Sequence, residues 1–286
     1  MNVLLAVDGS DSAYEAARAL THLTPPTKVI LLHAMDIPIP MYPSVIPEVA
    51  REIQDTVERA MREEGERLLN RVSSLLSPGI GPVVKRLGIG KPTSVILEVA
   101  EQEQIHLILM GARGVGHIRE LILGSVSHRV VSHARCPTLI VGAPMQALRH
   151  VLLAVKDQED ADAAITYLST RPFREQCEIT VLTVIPYVSP AWPVGTLVPD
   201  TYRRDISRQG MEFVIQVAGR LAALGYRATS EALLGMPAGE IIQAASKRRT
   251  DLILMGSRHK GLSRLALGSV SHTVLHKAPC AVLVVR

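Results

Sequence analysis

The residues best suited to chemistry lie between Gly111 and Ser127. The segment from Ile105 to Ile140 reads IHLILMGARGVGHIRELILGSVSHRVVSHARCPTLI. An apolar run from Leu107 to Met110 stops at Gly111, Gly114 and Gly116 follow, and Gly124-Ser125 opens a helical pattern. Glycine presents no Cβ to a bulky anion and takes positive φ at no cost. A helix starting at Ser125 turns unpaired N–H groups and the positive end of its dipole toward the loop. The chemistry this suits is phosphate binding, with N–H groups and hydroxyls of Gly124, Ser125, Val126 and Ser127 facing the anion. Glycines in a tight surface loop are the plainer explanation of any short glycine motif. The full spacing G-x2-G-x9-G-S adds weight here.

Other residues qualify by type and place. Asp8 ends a second apolar run, Val3 to Val7. A carboxylate there accepts from a ribose hydroxyl or an adenine amine, or else favours the start of a helix. Ala34 and Met110 end apolar runs and suit the wall of a base pocket, with plain core as the alternative. Arg113, His117 and Arg119 bring cations to the loop, where solvated side chains are the common outcome. His128 and His133 are five residues apart and do not share a helix face, so no protein-built metal cluster is expected. Gly90-Lys91-Pro92-Thr93-Ser94 looks like the end of a P-loop, but lacks the earlier glycine and has Pro92 inside G-K-[ST]; it reads as a strand-to-helix turn.

The elements that must position these residues are short apolar runs alternating with amphipathic stretches. Val3–Val7, Lys28–Ala34, Pro82–Leu87, Leu107–Met110 and Thr138–Val141 read as strands, the third an edge by its Lys85-Arg86. Ser12-Ala-Tyr-Glu15 has the form of a capping box. Helical spacing runs from Glu48 to Leu76, and Pro92 suits the first turn of another helix. Met35 to Pro47 holds four prolines and reads as a loop. Strand and helix alternation implies an α/β, doubly wound parallel sheet, with ligands at the carboxyl ends of the strands.

The pattern occurs twice. NVLLAVDGSDSA (Asn2–Ala13) returns as HVLLAVKDQEDA (His150–Ala161), LILMGARG (Leu107–Gly114) as LILMGSRH (Leu252–His259), and LGSVSHRV (Leu123–Val130) as LGSVSHTV (Leu267–Val274). The period is about 145 residues, as between Leu107 and Leu252. This predicts two tandem domains, 1–143 and 149–286, joined across Ala143–Ala147. The second copy departs from the first at the chemistry. Lys156 replaces Asp8, His259 replaces Gly114, and the interval from Gly256 to Gly268 is one residue shorter than that from Gly111 to Gly124. A bulky residue in place of glycine and a shortened loop both work against the same phosphate geometry there. Lys156, Arg258, His259 and Lys260 form either a basic pocket for another anion or a solvated basic loop.

Composition bounds the rest. The chain has 286 residues, 47% hydrophobic and 20% charged, with only 3% aromatic, as expected of aliphatic strands and helices. A net charge of +4 with interspersed signs does not suggest a nucleic-acid surface. No apolar run is long enough for a membrane span, and the amino-terminal MNVLLAVDGS has no signal-peptide pattern. Three scattered cysteines suit a reduced, cytoplasmic setting.

The glycine spacing, Asp8 and the repeat together resemble the universal stress protein family, in its ATP-binding branch. The resemblance spans essentially the whole chain. It implies two five-stranded, Rossmann-like sheets of order 3-2-1-4-5, related by a pseudo-twofold axis. It further implies ATP in the first half, with Mg2+ held by the phosphates, and a regulatory role toward an unknown protein partner. Family members commonly dimerise through the final strand, which a tandem chain satisfies internally. Further pairing into a homodimer stays open, with the proline loops (Met35–Pro47, and Ile185–Pro199 with Trp192) as contact surfaces. No nucleophile–base pair stands beside the loop, so at most slow ATP hydrolysis is expected. A non-nucleotide interaction module is the remaining alternative.

Overall fold

In the computed structural model, residues 1–37, 47–114, 123–186, 200–257 and 267–286 are described. The candidate residues Gly116, His117, Arg119, Arg258, His259 and Lys260 lie outside this set, as do the centres of both proline loops, Trp192 among them.

Alternation of strand and helix dominates because the inner strands are apolar on both faces and need a helical layer on each side. The first half runs β1 (Asn2–Ala6), α1 (Asp11–Ala19), β2 (Lys28–Met35), α2 (Pro47–Leu75), β3 (Val83–Ile89), α3 (Pro92–Gln102), β4 (Leu107–Gly111), α4 (Ser125–His133) and β5 (Thr138–Val141). The second half repeats it with β6 (His150–Ala154), α5 (Gln158–Ser169), β7 (Glu178–Pro186), α6 (Asp200–Ala223), β8 (Arg227–Gly235), α7 (Pro237–Arg248), β9 (Leu252–Gly256), α8 (Ser269–Lys277) and β10 (Ala281–Val285).

All ten strands join one sheet in the order β3-β2-β1-β4-β5-β10-β9-β6-β7-β8. Each half has the expected order 3-2-1-4-5 and is parallel throughout. The halves meet where β5 pairs antiparallel with β10, and the repeat-equivalent residues Leu139 and Leu283 stand opposite each other. That register makes the relation twofold and covers the two inner edges that a sheet must not leave bare. The outer edges are β3 and β8.

Alternate side chains of β1 go to opposite layers. Val3 and Leu5 pack with α1 and α2, while Leu4 and Ala6 pack with α3 and α4. The same division holds in the second half, so α4 and α8 share one face beside the central seam. On the other face Thr24, just after α1, bonds the second half: its N–H donates to the Pro172 carbonyl at 2.9 Å and its hydroxyl to that of Arg171 at 2.6 Å. No described helix is long and apolar enough to cross a membrane.

Several element boundaries in the first half differ from the sequence reading by one residue, and two differ by two. The first helix is capped by Ser10, not Ser12: the Ser10 side chain accepts from the Ala13 N–H. Glu15 pairs with Arg18 instead of closing a capping box. The third strand runs two residues further, to Ile89, because Leu87, Gly88 and Ile89 continue the ladder with β2.

Candidate functional site

The strand order reverses between β1 and β4, and the crevice opens at their carboxyl ends. On the β1 side, Gly9 at φ +83° turns the chain out of the strand. Asp8 is fixed by that turn, its Oδ1 accepting from the Ser10 N–H at 3.0 Å and the Ser10 hydroxyl at 2.6 Å. Its other oxygen, Oδ2, faces Gly114: a Cβ added there would stand 2.8 Å from it. Any side chain at position 114 therefore displaces the carboxylate.

On the β4 side, α1 grips the loop. Ser12 donates its hydroxyl to the Arg113 carbonyl at 2.6 Å and accepts from the Arg113 N–H at 3.2 Å. The Ser10 hydroxyl also lies 2.9 Å from the Arg113 carbonyl. The sequence reading missed both serines as loop anchors; the signal was two hydroxyls in the first turn after a strand-end Asp-Gly. At Gly111 packing sets the constraint. This residue is buried at the end of β4, and a Cβ there would meet Ser12 Oγ at 2.4 Å and the Ser12 carbonyl carbon at 2.6 Å. Close approach of α1 demands glycine at this position.

The third side is the start of α4. Gly124 is its N-cap, in extended conformation, and no side chain caps the helix. The N–H groups of its first turn have no partner within the helix. Ser125 is exposed at this start, whereas Ser127 is buried, its hydroxyl donating to the Gly111 carbonyl at 2.9 Å. Ser127 is thus a brace between α4 and β4 rather than a free phosphate hydroxyl; what it offers the crevice is its backbone N–H.

Asp8, Ala34, Met110, Gly111, Arg113, Gly114, Gly124, Ser125, Val126 and Ser127 all line one cavity of about 340 Å³. Pro92 and Ile96 of α3 close its apolar end. The turn dismissed as a P-loop imitation is therefore a wall of the site, because the β3–α3 connection also emerges at the carboxyl ends of the strands. The cavity is apolar between Met110 and Ile96, polar at Asp8, and rich in backbone donors at α4. A flat base, a sugar and an anion fit that sequence of surfaces. Among the described residues there is no cluster of three or more His, Cys, Asp or Glu able to hold a metal.

The model of the universal stress protein family matches twice, over residues 1–142 and 147–286. The chain belongs to the universal stress protein family. A universal stress protein of Thermus aquaticus is 34% identical over 144 residues, covering 49% of this chain and 96% of that protein. One from Mycobacterium bovis is 24% identical over 240 residues, covering 78% of this chain and 77% of that protein. Among solved structures, a universal stress protein from Archaeoglobus fulgidus has the same fold, with a TM-score of 0.68 and 22% identity, covering 99% of this chain and 97% of that one.

The second universal stress protein domain keeps a cavity of the same size, about 340 Å³, between β6, β9 and α8. Its apolar wall repeats the first, with Met255 for Met110, Pro237 for Pro92 and Ile241 for Ile96. Ser271 donates to the Gly256 carbonyl at 3.0 Å, as Ser127 does to Gly111. The polar set is what changed. Lys156 stands for Asp8, and Asp160 takes the place of Ser12, with its Oδ2 3.8 Å from the Lys156 Nζ. Burial raises the Asp160 carboxyl above its usual range, and the Lys156 charge opposes that rise. The two side chains stand together in the lining of this cavity.

Proposed function

We propose that this universal stress protein binds ATP in the crevice of its first domain and uses occupancy of that crevice to bias a partner interaction. One observation carries the reading. The strand-end carboxylate and the glycine loop meet at a point where no Cβ fits, beside a helix start that no side chain caps. In this reading the apolar wall of Ala34, Met110 and Ile96 takes the adenine. Asp8 accepts from the ribose hydroxyls. The N–H groups of Gly124, Ser125, Val126 and Ser127 receive the phosphates, with Arg113 adding positive charge. A divalent cation, Mg2+ by class, is held by the phosphates, since the carboxylate nearest the loop is already bound by Ser10. The second domain, with Lys156 and Asp160, does not hold ATP in this way.

The test is to purify the protein without added nucleotide, denature it and identify what is released. About one equivalent of adenine nucleotide per chain is expected. Gly114→His, which copies the second domain, places its Cβ against the Asp8 carboxylate and should abolish binding; Asp8→Ala should weaken it by about tenfold or more. Absence of released nucleotide, together with no calorimetric signal for added Mg-ATP, sinks the proposal.

A further inference from the structure

Helices α4 and α8 bring three imidazoles together beside the central seam. His128 and His272 are repeat equivalents, and their rings meet edge to face at 5.2 Å between centroids. His276, one turn further along α8, lies 4.4 Å from His272 and 6.2 Å from His128. His276 also reaches across the domain boundary, its Nδ1 accepting from the Leu123 N–H at 3.3 Å. Accepting at Nδ1 fixes the neutral ring with its hydrogen on Nε2. That Nε2 is buried and has no partner among the described residues. Leu123 directly precedes Gly124, the cap of the helix whose first turn faces the nucleotide crevice.

Among the described residues, the charged groups around the cluster do not offset a cation on it. On α4 they are Arg129 and His133, and the charges acting on His128 are those of His272, His133 and Arg129. Those acting on His276 are His272 and His128. The carboxylates of the packed helices are engaged elsewhere: on α3, Glu101 with Arg135 and Glu98 with Gln102, while on α7 Glu240 lies against Gly235. Lys247 and Arg248 of α7, Lys277 of α8 and Arg286 after β10 are cationic, and Arg286 donates to the Val131 carbonyl of α4.

We propose that this interdomain histidine cluster makes nucleotide retention in the first crevice proton-sensitive. A proton on His276 occupies Nδ1, so the ring becomes a donor and the Leu123 N–H loses its acceptor. A second proton on His128 or His272 sets like charges within a few ångströms across α4 and α8. Both events act on the segment that leads through Leu123 into Gly124 and the first turn of α4, which faces the crevice. The sign follows from burial, which with the neighbouring imidazoles, and for His128 also Arg129, holds His128 and His276 below the usual 6.5. The packed cluster therefore stabilises the folded arrangement fully above that value, and the contribution is lost as pH falls from it through the folded values.

The inference rests on the ATP reading, and the experiment separates the two. ATP affinity of the full chain is measured by calorimetry between pH 7.5 and 5.5, for the natural sequence and for His276→Asn, which keeps a neutral acceptor. ATP's own phosphate titration is common to both proteins, so the readout is their difference. The natural chain is expected to lose about tenfold more affinity than His276→Asn on acidification. His272→Asn, on the exposed member of the cluster, should remove part of the loss and serves if His276→Asn does not fold. Equal pH dependence in all three proteins overturns the switch and leaves ATP binding intact. No ATP binding at pH 7.5 overturns both.

Discussion

Gly111 and Gly114 are three positions apart and are glycines for unrelated reasons. At Gly111 the obstacle to a side chain is the backbone of α1, with the Ser12 carbonyl carbon 2.6 Å from a Cβ. At Gly114 it is the Oδ2 of Asp8, a residue that lines the crevice. The two variants should therefore separate cleanly. Gly111→Ala is expected to destabilise the fold by about 1–3 kcal/mol, as overpacking does, read as a lower midpoint in denaturant unfolding. Gly114→Ala should leave that midpoint nearly unmoved while weakening ATP binding; a large stability loss at Gly114 would show that the loop is structural. The spacing of these residues was legible in the sequence, and the strand order implied by the family resemblance put Asp8 beside the loop. What the sequence did not reveal was which glycine faces α1 and which faces the crevice, since that depends on how closely α1 approaches β4. Ser10 and Ser12 escaped for the same reason: their partner is the Arg113 backbone, about a hundred residues away.

At the scale of elements, the site is held together by hydrogen bonds from helix first turns to neighbouring loops and strand ends. Ser12 of α1 grips Arg113, and Ser127 of α4 grips Gly111. Ser127→Ala strands a buried carbonyl at the end of β4, so a loss of about 1–3 kcal/mol is expected. Hydrogen exchange should localise the change to the start of α4; uniform loosening across the sheet would contradict a local brace. Strands and helices were readable because apolar runs bounded by glycine and proline have few other uses in an α/β chain. The boundaries that shifted did so through contacts no local pattern encodes. The first helix begins at Ser10's cap because Gly9 and Asp8 shape the turn before it. The third strand lengthens because β2 offers it further partners as far as Met35.

The whole molecule is one ten-stranded sheet made of two sheets sharing a seam. Val282, Leu283 and Val284 face Ile140, Leu139 and Thr138 there, all of them buried. A bare β5 edge invites another strand. Residues 1–142 produced alone are accordingly expected to pair with themselves, and sedimentation velocity should find a dimer; a stable, folded monomer would mean that the seam contributes little. The seam has a further consequence when the two crevices are compared. In a dimer of separate identical chains every substitution appears twice, so neither site changes without the other. Here the partner is carried on the same polypeptide, dilution cannot part the copies, and each inherits its substitutions independently. One crevice keeps Asp8 and Ser12 while its twin holds Lys156 and Asp160 at the corresponding places. Fusion has freed the two halves from identity while the geometry that made them partners persists.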